Sequence, residues 1–222
     1  MSIDQSIQAI TNFQGLSLTE SLSTIETAII GLNSDQLRTF CASQGIDNTF
    51  MLSAASIKKI AGQINVIIHA AGILCSLPSL LKPRETVQSV SLGAGNAGRQ
   101  FDLETNLRVA EYKFADWQGG AESIRQNGVF NDFYGLAEHQ TTKSKHLYVV
   151  DCSFPLKFLT GRRALTSVLS RYPTVLQRIK QKYGSDVLKV RDYYNHKKSE
   201  VEICDVTPYI CCPDQEHAEP HL

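Results

Sequence analysis

One short stretch limits the fold more than any other: residues 100–114, QFDLETNLRVAEYKF. Two alternating apolar–polar runs flank Thr105-Asn106, which predicts an antiparallel hairpin. With 105–106 as the loop, Glu104 stands opposite Leu107 and Asp102 opposite Val109. Side chains alternate along each strand and cross-strand partners share a side. Asp102, Glu104, Glu111 and Lys113 therefore fall on one face, and any even loop length keeps that parity. Asp102 and Glu111 become diagonal neighbours, about 7–8 Å apart at the backbone. Phe101, Leu103, Arg108, Ala110, Tyr112 and Phe114 take the opposite face, most of which can enter a core.

The elements around this hairpin define an α/β chain. Residues 1–50 read as short helices, one opened by a capping box from Ser17 to Glu20 and another capped by Ser34 or Asp35 and ended at Gly45. A long helix follows over 51–75 and stops near Pro78 and Pro83. Residues 85–92 alternate and are rich in β-branched side chains, as a strand would be. Residues 118–139 read as a helix whose apolar face is Ile124, Phe130, Phe133, Leu136 and Ala137, and 146–152 as an apolar, central strand. Two basic helices at 155–183, the second opened by Pro173, and a last strand in 201–210 complete the order. The expected organisation is a helical extension over 1–50, a mixed-sheet α/β domain over 51–210, and a disordered acidic tail over 211–222.

The formal net charge is zero, with 22 basic and 22 acidic residues, which excludes a uniformly basic coat. By segment the balance is −2 over 1–80, +8 over 81–198 and −6 over 199–222. Residues 155–198 alone hold 11 basic and 2 acidic side chains, more than a solvated helix face needs. Arg162, Arg163, Arg171, Arg178 and Lys180 are the candidate phosphate contacts in that segment.

The N-terminus lacks the basic start and long apolar run of a secretory signal. Polar residues and Pro78 interrupt the most apolar stretch, 64–81, which predicts a buried core helix and no membrane span. The six cysteines show no C-x-x-C pair, and Cys75, Cys152 and Cys204 read as small buried hydrophobes, so a reducing cytoplasmic setting is expected. Gly93, Gly95 and Gly98 spell GxGxxG, but strand-like residues follow where a phosphate-binding loop would open a helix. The expected role is a flexible turn.

Three carboxylates and an ammonium on one face repel or share a proton unless a cation intervenes. Hard oxygen ligands suit Mg²⁺ or Mn²⁺. Asp102 followed nine residues later by Glu111-Tyr112-Lys113, in an order of helix, three strands, helix and strand over 51–152, resembles the PD-(D/E)xK nuclease superfamily. Phe101 stands where that motif often has proline, and the spacing from Asp102 to Glu111 requires a tight hairpin.

The resemblance implies a restriction-endonuclease-like αβββαβ core. It also implies that Asp102 and Glu111 bind Mg²⁺ or Mn²⁺ and that Lys113 positions the attacking water. Glu85 is the candidate for a further metal ligand. Arg125 and Gln126, on the helix after the hairpin, are candidates for facing the metal or the phosphate. The expected activity is hydrolysis of phosphodiester bonds in DNA, with RNA as the other nucleic-acid candidate and a restriction-type or defence role as one setting for the same chemistry. Cutting both strands of a duplex would favour a homodimer. The alternative is a non-catalytic nucleic-acid-binding or protein-interaction module on the same fold, against which the intact Asp102, Glu111 and Lys113 set argues.

Overall fold

Side-chain oxygens open the first helices. In the computed structural model, which describes residues 2–93, 98–114, 117 and 122–210, α1 (Ile3–Gln14) starts at a Ser2–Gln5 capping box. The Ser17 hydroxyl accepts the Glu20 amide at the start of α2 (Leu18–Ile29). Asn33, with Gln36, caps α3 (Ser34–Ser43), so the cap lies one residue before the expected Ser34. An Asn at this position accepts the amides of both Asp35 and Gln36, at 3.1 and 3.0 Å. Gly45 ends this segment with φ +66°, a conformation that favours glycine.

The chain forms two compact units, Met1–Asn65 and Val66–Leu222. The division by packing falls inside the long helix and not at the expected 50/51 boundary. That helix, α4 (Asn48–Leu80), runs through Pro78 in its last turn and stops two residues later. It is not the buried helix its composition predicts. Its most apolar 18-residue window has mean hydropathy 1.7 yet is only 22% buried. Ile60, Ile64, Ile67, Ile68 and Leu74 are exposed, while Ile73, Leu77 and Leu80 pack in the core of the second unit. By length and composition α4 could cross a membrane.

The second unit holds a five-stranded mixed sheet in the order β1 (Val87–Val90), β2 (Leu103–Thr105), β3 (Arg108–Lys113), β4 (Ser144–Val149) and β5 (Glu202–Asp205). The first three strands are antiparallel; β4 and β5 run parallel to β3. Helices α5 (Glu122–Glu138), α6 (Ser153–Leu159), α7 (Leu165–Val168), α8 (Pro173–Tyr183) and α9 (Val190–Lys197) complete the described α-helices. A mixed α/β fold is therefore observed.

Alternation divides the core between the two faces of the sheet. Val109, Leu147 and Val149 meet α5 through Val129, Phe130, Phe133 and Leu136, joined by side chains of α6–α9. Ala110, Tyr112 and Tyr148 meet Ile73 of α4 on the other face. Ile124 does not join the apolar face expected for α5: it is 73% exposed. The first of the two expected basic helices is divided at Gly161, where a Cβ would lie 2.9 Å from the Phe158 carbonyl oxygen.

The hairpin keeps its parity but moves its turn. Leu103 pairs with Ala110 and Glu104 with Val109, so the turn centres on Asn106-Leu107. The Thr105 hydroxyl accepts the amides of Leu107 and Arg108 at 3.0 and 2.9 Å, which holds the turn at that position. The same register, extended by one residue, sets Asp102 directly opposite Glu111 instead of diagonal to it.

Candidate active site

Asp102 lies one residue before β2, and its side chain reaches over the end of β3, where the Tyr112 amide donates to Asp102 Oδ2 at 3.0 Å. Glu111 shares a side-chain hydrogen bond with Asp102, so the two carboxyl groups converge. Two residues along the same face, Lys113 Nζ stands 2.7 Å from Asp132 Oδ2 on α5. The lysine stem passes Gly128, whose added Cβ would touch Lys113 Cε at 3.8 Å, one helical turn before Asp132. From α4, His69 Nε2 faces two acceptors, Asp102 Oδ1 at 3.4 Å and Ser91 O at 3.3 Å. The His69 ring rests edge-on against Phe114, which fits beside α4 because Gly72 has no Cβ: one there would meet the Phe114 ring at 2.5 Å.

The electrostatics assign protons within this cluster. Burial, then the charges of Asp132 and Asp102, push the Glu111 carboxyl up to about 9. Glu111 is thus protonated at neutral pH and donates to Asp102. Burial works to raise Asp102, but hydrogen bonds from His69, the Tyr112 amide and Glu111 outweigh it and hold this carboxyl below its ordinary value. His69 is raised, chiefly by its hydrogen bond to Asp102. Burial alone would lower the Lys113 ammonium; the charge of Asp132 and the hydrogen bond to it reverse the sign. Lys113 is therefore held as a cation, suited to orienting a water and opposing negative charge and not to removing a proton. His69, Asp102 and Asp132 keep 23%, 18% and 18% of their side-chain surface, and Lys113 37%, so solvent reaches the cluster.

Two further expected members of the acidic cluster lie elsewhere. Glu104 is on the same strand face but binds Lys143 at 2.7 Å, and Lys143 also donates to Gln88. Glu85 is corrected outright: its side chain is fully buried against Arg108, on the β3 face opposite Glu111. Arg108 Nε and an outer guanidinium nitrogen each reach a Glu85 oxygen at 2.6 Å, while the Thr105 hydroxyl and the Lys82 amide also donate to Glu85. These four donors leave Glu85 as a structural ion pair.

On α5, Gln126 accepts a hydrogen bond from Arg163 and Arg125 is half-buried. The residue that α5 directs to the cluster is Asp132. It was legible only as a polar residue bordering the buried set Val129, Phe130, Phe133 and Leu136. In the sequence His69 is one of the polar residues that interrupt the apolar run 64–81.

The basic segment separates into two groups. Lys182 binds Glu138 at 2.6 Å, and Lys197 is buried at the end of α9 on Glu200 at 2.7 Å. Arg162, Arg171 and Arg178 are exposed, and Arg163 and Lys180 are half-buried. Trp117 is buried against the rings of Phe154 and Phe158, as a packing residue would be. The described cysteines are free thiols, and Cys75 is exposed, contrary to expectation. Residues 94–97 of the glycine loop and the acidic tail 211–222 lie outside the described residues, and the chain beyond Gly98 leads into β2 and not into a helix.

The pair of converging carboxyls has the donor set that a hard divalent cation takes: oxygen ligands, already close, and stabilised by a proton that a cation can replace. No family model, curated protein or solved structure matches this chain, so its own geometry carries the functional reading.

Proposed function

We propose that the protein is a divalent-metal-dependent nuclease of the PD-(D/E)xK type, with a restriction-endonuclease-like core, acting on phosphodiester bonds in DNA. The observation that carries this reading is the convergence of Asp102 and Glu111 beside a cationic Lys113. Asp102 and Glu111 would hold Mg²⁺ or Mn²⁺, which supplies charge stabilisation at a phosphoryl oxygen.

The chain's own residues do the rest. The Tyr112 amide and His69 fix the Asp102 carboxylate from two directions. Asp132 holds the Lys113 ammonium in place, where it orients the attacking water and opposes the charge that develops on the phosphate. Arg162, Arg171 and Arg178, exposed and basic, are suited to the phosphate backbone of DNA outside the site. The test is cleavage of plasmid and single-stranded DNA in Mg²⁺ or Mn²⁺, wild type beside Asp102→Ala and Lys113→Ala.

A further inference from the structure

The opposite face of the sheet carries a second set of ligating side chains. Parallel pairing sets His146 of β4 beside Glu202 of β5, and Tyr148 beside Cys204. Alternation puts all four on the Arg108 face, away from Glu111. His146 Nδ1 stands 3.4 Å from Glu202 Oε2 and 3.7 Å from Cys204 Sγ. The three ligand atoms all lie within 4.8 Å of one another.

The two distances from His146 Nδ1 are close to those of a particular coordination. A tetrahedral ion with bonds of about 2.0–2.3 Å spaces its ligand atoms about 3.3–3.6 Å apart. The imidazole is also oriented for the task. Its Nε2 lies 2.9 Å from the Ser144 hydroxyl, and the tautomer that donates Nε2–H there leaves the Nδ1 lone pair facing Glu202 and Cys204. The ring is 7% exposed and stacks on Tyr148 at 5.5 Å, only 5° from parallel. Arg108 is near, but its charge is matched by Glu85.

We propose that His146, Glu202 and Cys204 form a three-ligand site for a zinc-class divalent cation, with the fourth position open to water. The mixed sulfur, nitrogen and oxygen donors select such an ion over Mg²⁺, the reverse of the preference at Asp102 and Glu111. Glu202 is 71% exposed, so the ion enters from solvent at the edge strand. Bound there, the ion ties β5 to β4.

The test uses the full-length, reduced, metal-free protein titrated with Co²⁺ and then with Zn²⁺. One equivalent of Co²⁺ is expected to give a thiolate-to-metal charge-transfer band that Zn²⁺ abolishes. Cys204→Ser loses the band. Glu202→Gln, a surface change that leaves folding intact, keeps the band and weakens Co²⁺ binding by about tenfold or more. Absence of a thiolate band in the wild type, an undiminished band in Cys204→Ser, or wild-type affinity in Glu202→Gln would each overturn the site. If Cys204→Ser does not fold, the Glu202→Gln affinity decides.

Discussion

Glu111 donates its carboxyl proton to Asp102 across the open end of the β2–β3 hairpin, so two acidic groups that would repel instead share one charge. A cation bound by the pair takes the place of that proton. With the Glu111 carboxyl pushed up to about 9, metal binding at pH 7 is expected to release about one proton, and affinity to rise about tenfold per pH unit up to pH ~9. Calorimetric titration of Mn²⁺ in buffers of different ionisation heats measures the release. Glu111→Gln is expected to release none. An affinity independent of pH in the wild type would contradict the proton assignment.

In the proposed mechanism Asp132, 2.7 Å from Lys113 Nζ, is a positioning residue that acts through that lysine. Asp132→Asn is expected to lower DNA cleavage by about 10–100-fold, the usual cost of losing a group that orients a reacting one. It also removes the negative charge that keeps the Lys113 ammonium raised, so the alkaline limb of the pH–rate profile moves to lower pH. Asp132→Glu restores part of both. A lower melting temperature with an unmoved pH profile would make Asp132 merely structural.

Glu85 is an ion-pair partner of Arg108 and stands apart from the Asp102–Glu111 cluster. Burial alone would raise its carboxyl, but hydrogen bonds from Arg108, the Lys82 amide and Thr105 bring it from 4.5 down to about 2. The folded value lies below the unfolded one, so this contribution is full above pH ~4.5 and is lost as the pH falls toward ~2. The shift corresponds to roughly 3 kcal/mol. Glu85→Gln leaves Arg108 buried without a counter-charge and is expected to cost about 3–5 kcal/mol. Denaturant unfolding at pH 7 and pH 3 checks both statements: the wild type loses stability between them, and Glu85→Gln loses far less. Unchanged Mn²⁺ affinity in the folded variant is also expected.

What the sequence made legible follows from local geometry. Strand alternation alone placed Asp102, Glu111 and Lys113 on one face, because sliding a two-residue turn by one residue moves each cross-strand partner by two and so changes partners but not sides. The shift itself came from the Thr105 hydroxyl, which bonds two amides and displaces the turn toward Asn106-Leu107. The role of Glu85 is not legible in the sequence, because its partner, Arg108, looks like any polar residue in an alternating strand until the sheet buries it. Asp132 and His69 depend on how α5 and α4 cross the sheet, and no local period carries that information. The apolar composition of α4 likewise does not say which of its sides the sheet covers.

The most direct measurement is DNA cleavage by the purified full-length protein across a range of Mg²⁺ and Mn²⁺ concentrations. The predicted result is metal-dependent cutting of plasmid or single-stranded DNA that falls by about a hundredfold or more in both Asp102→Ala and Lys113→Ala, each still folded. DNA left intact at every metal concentration, or cut equally well by both variants, would contradict the assignment of Asp102, Glu111 and Lys113 as a nuclease site.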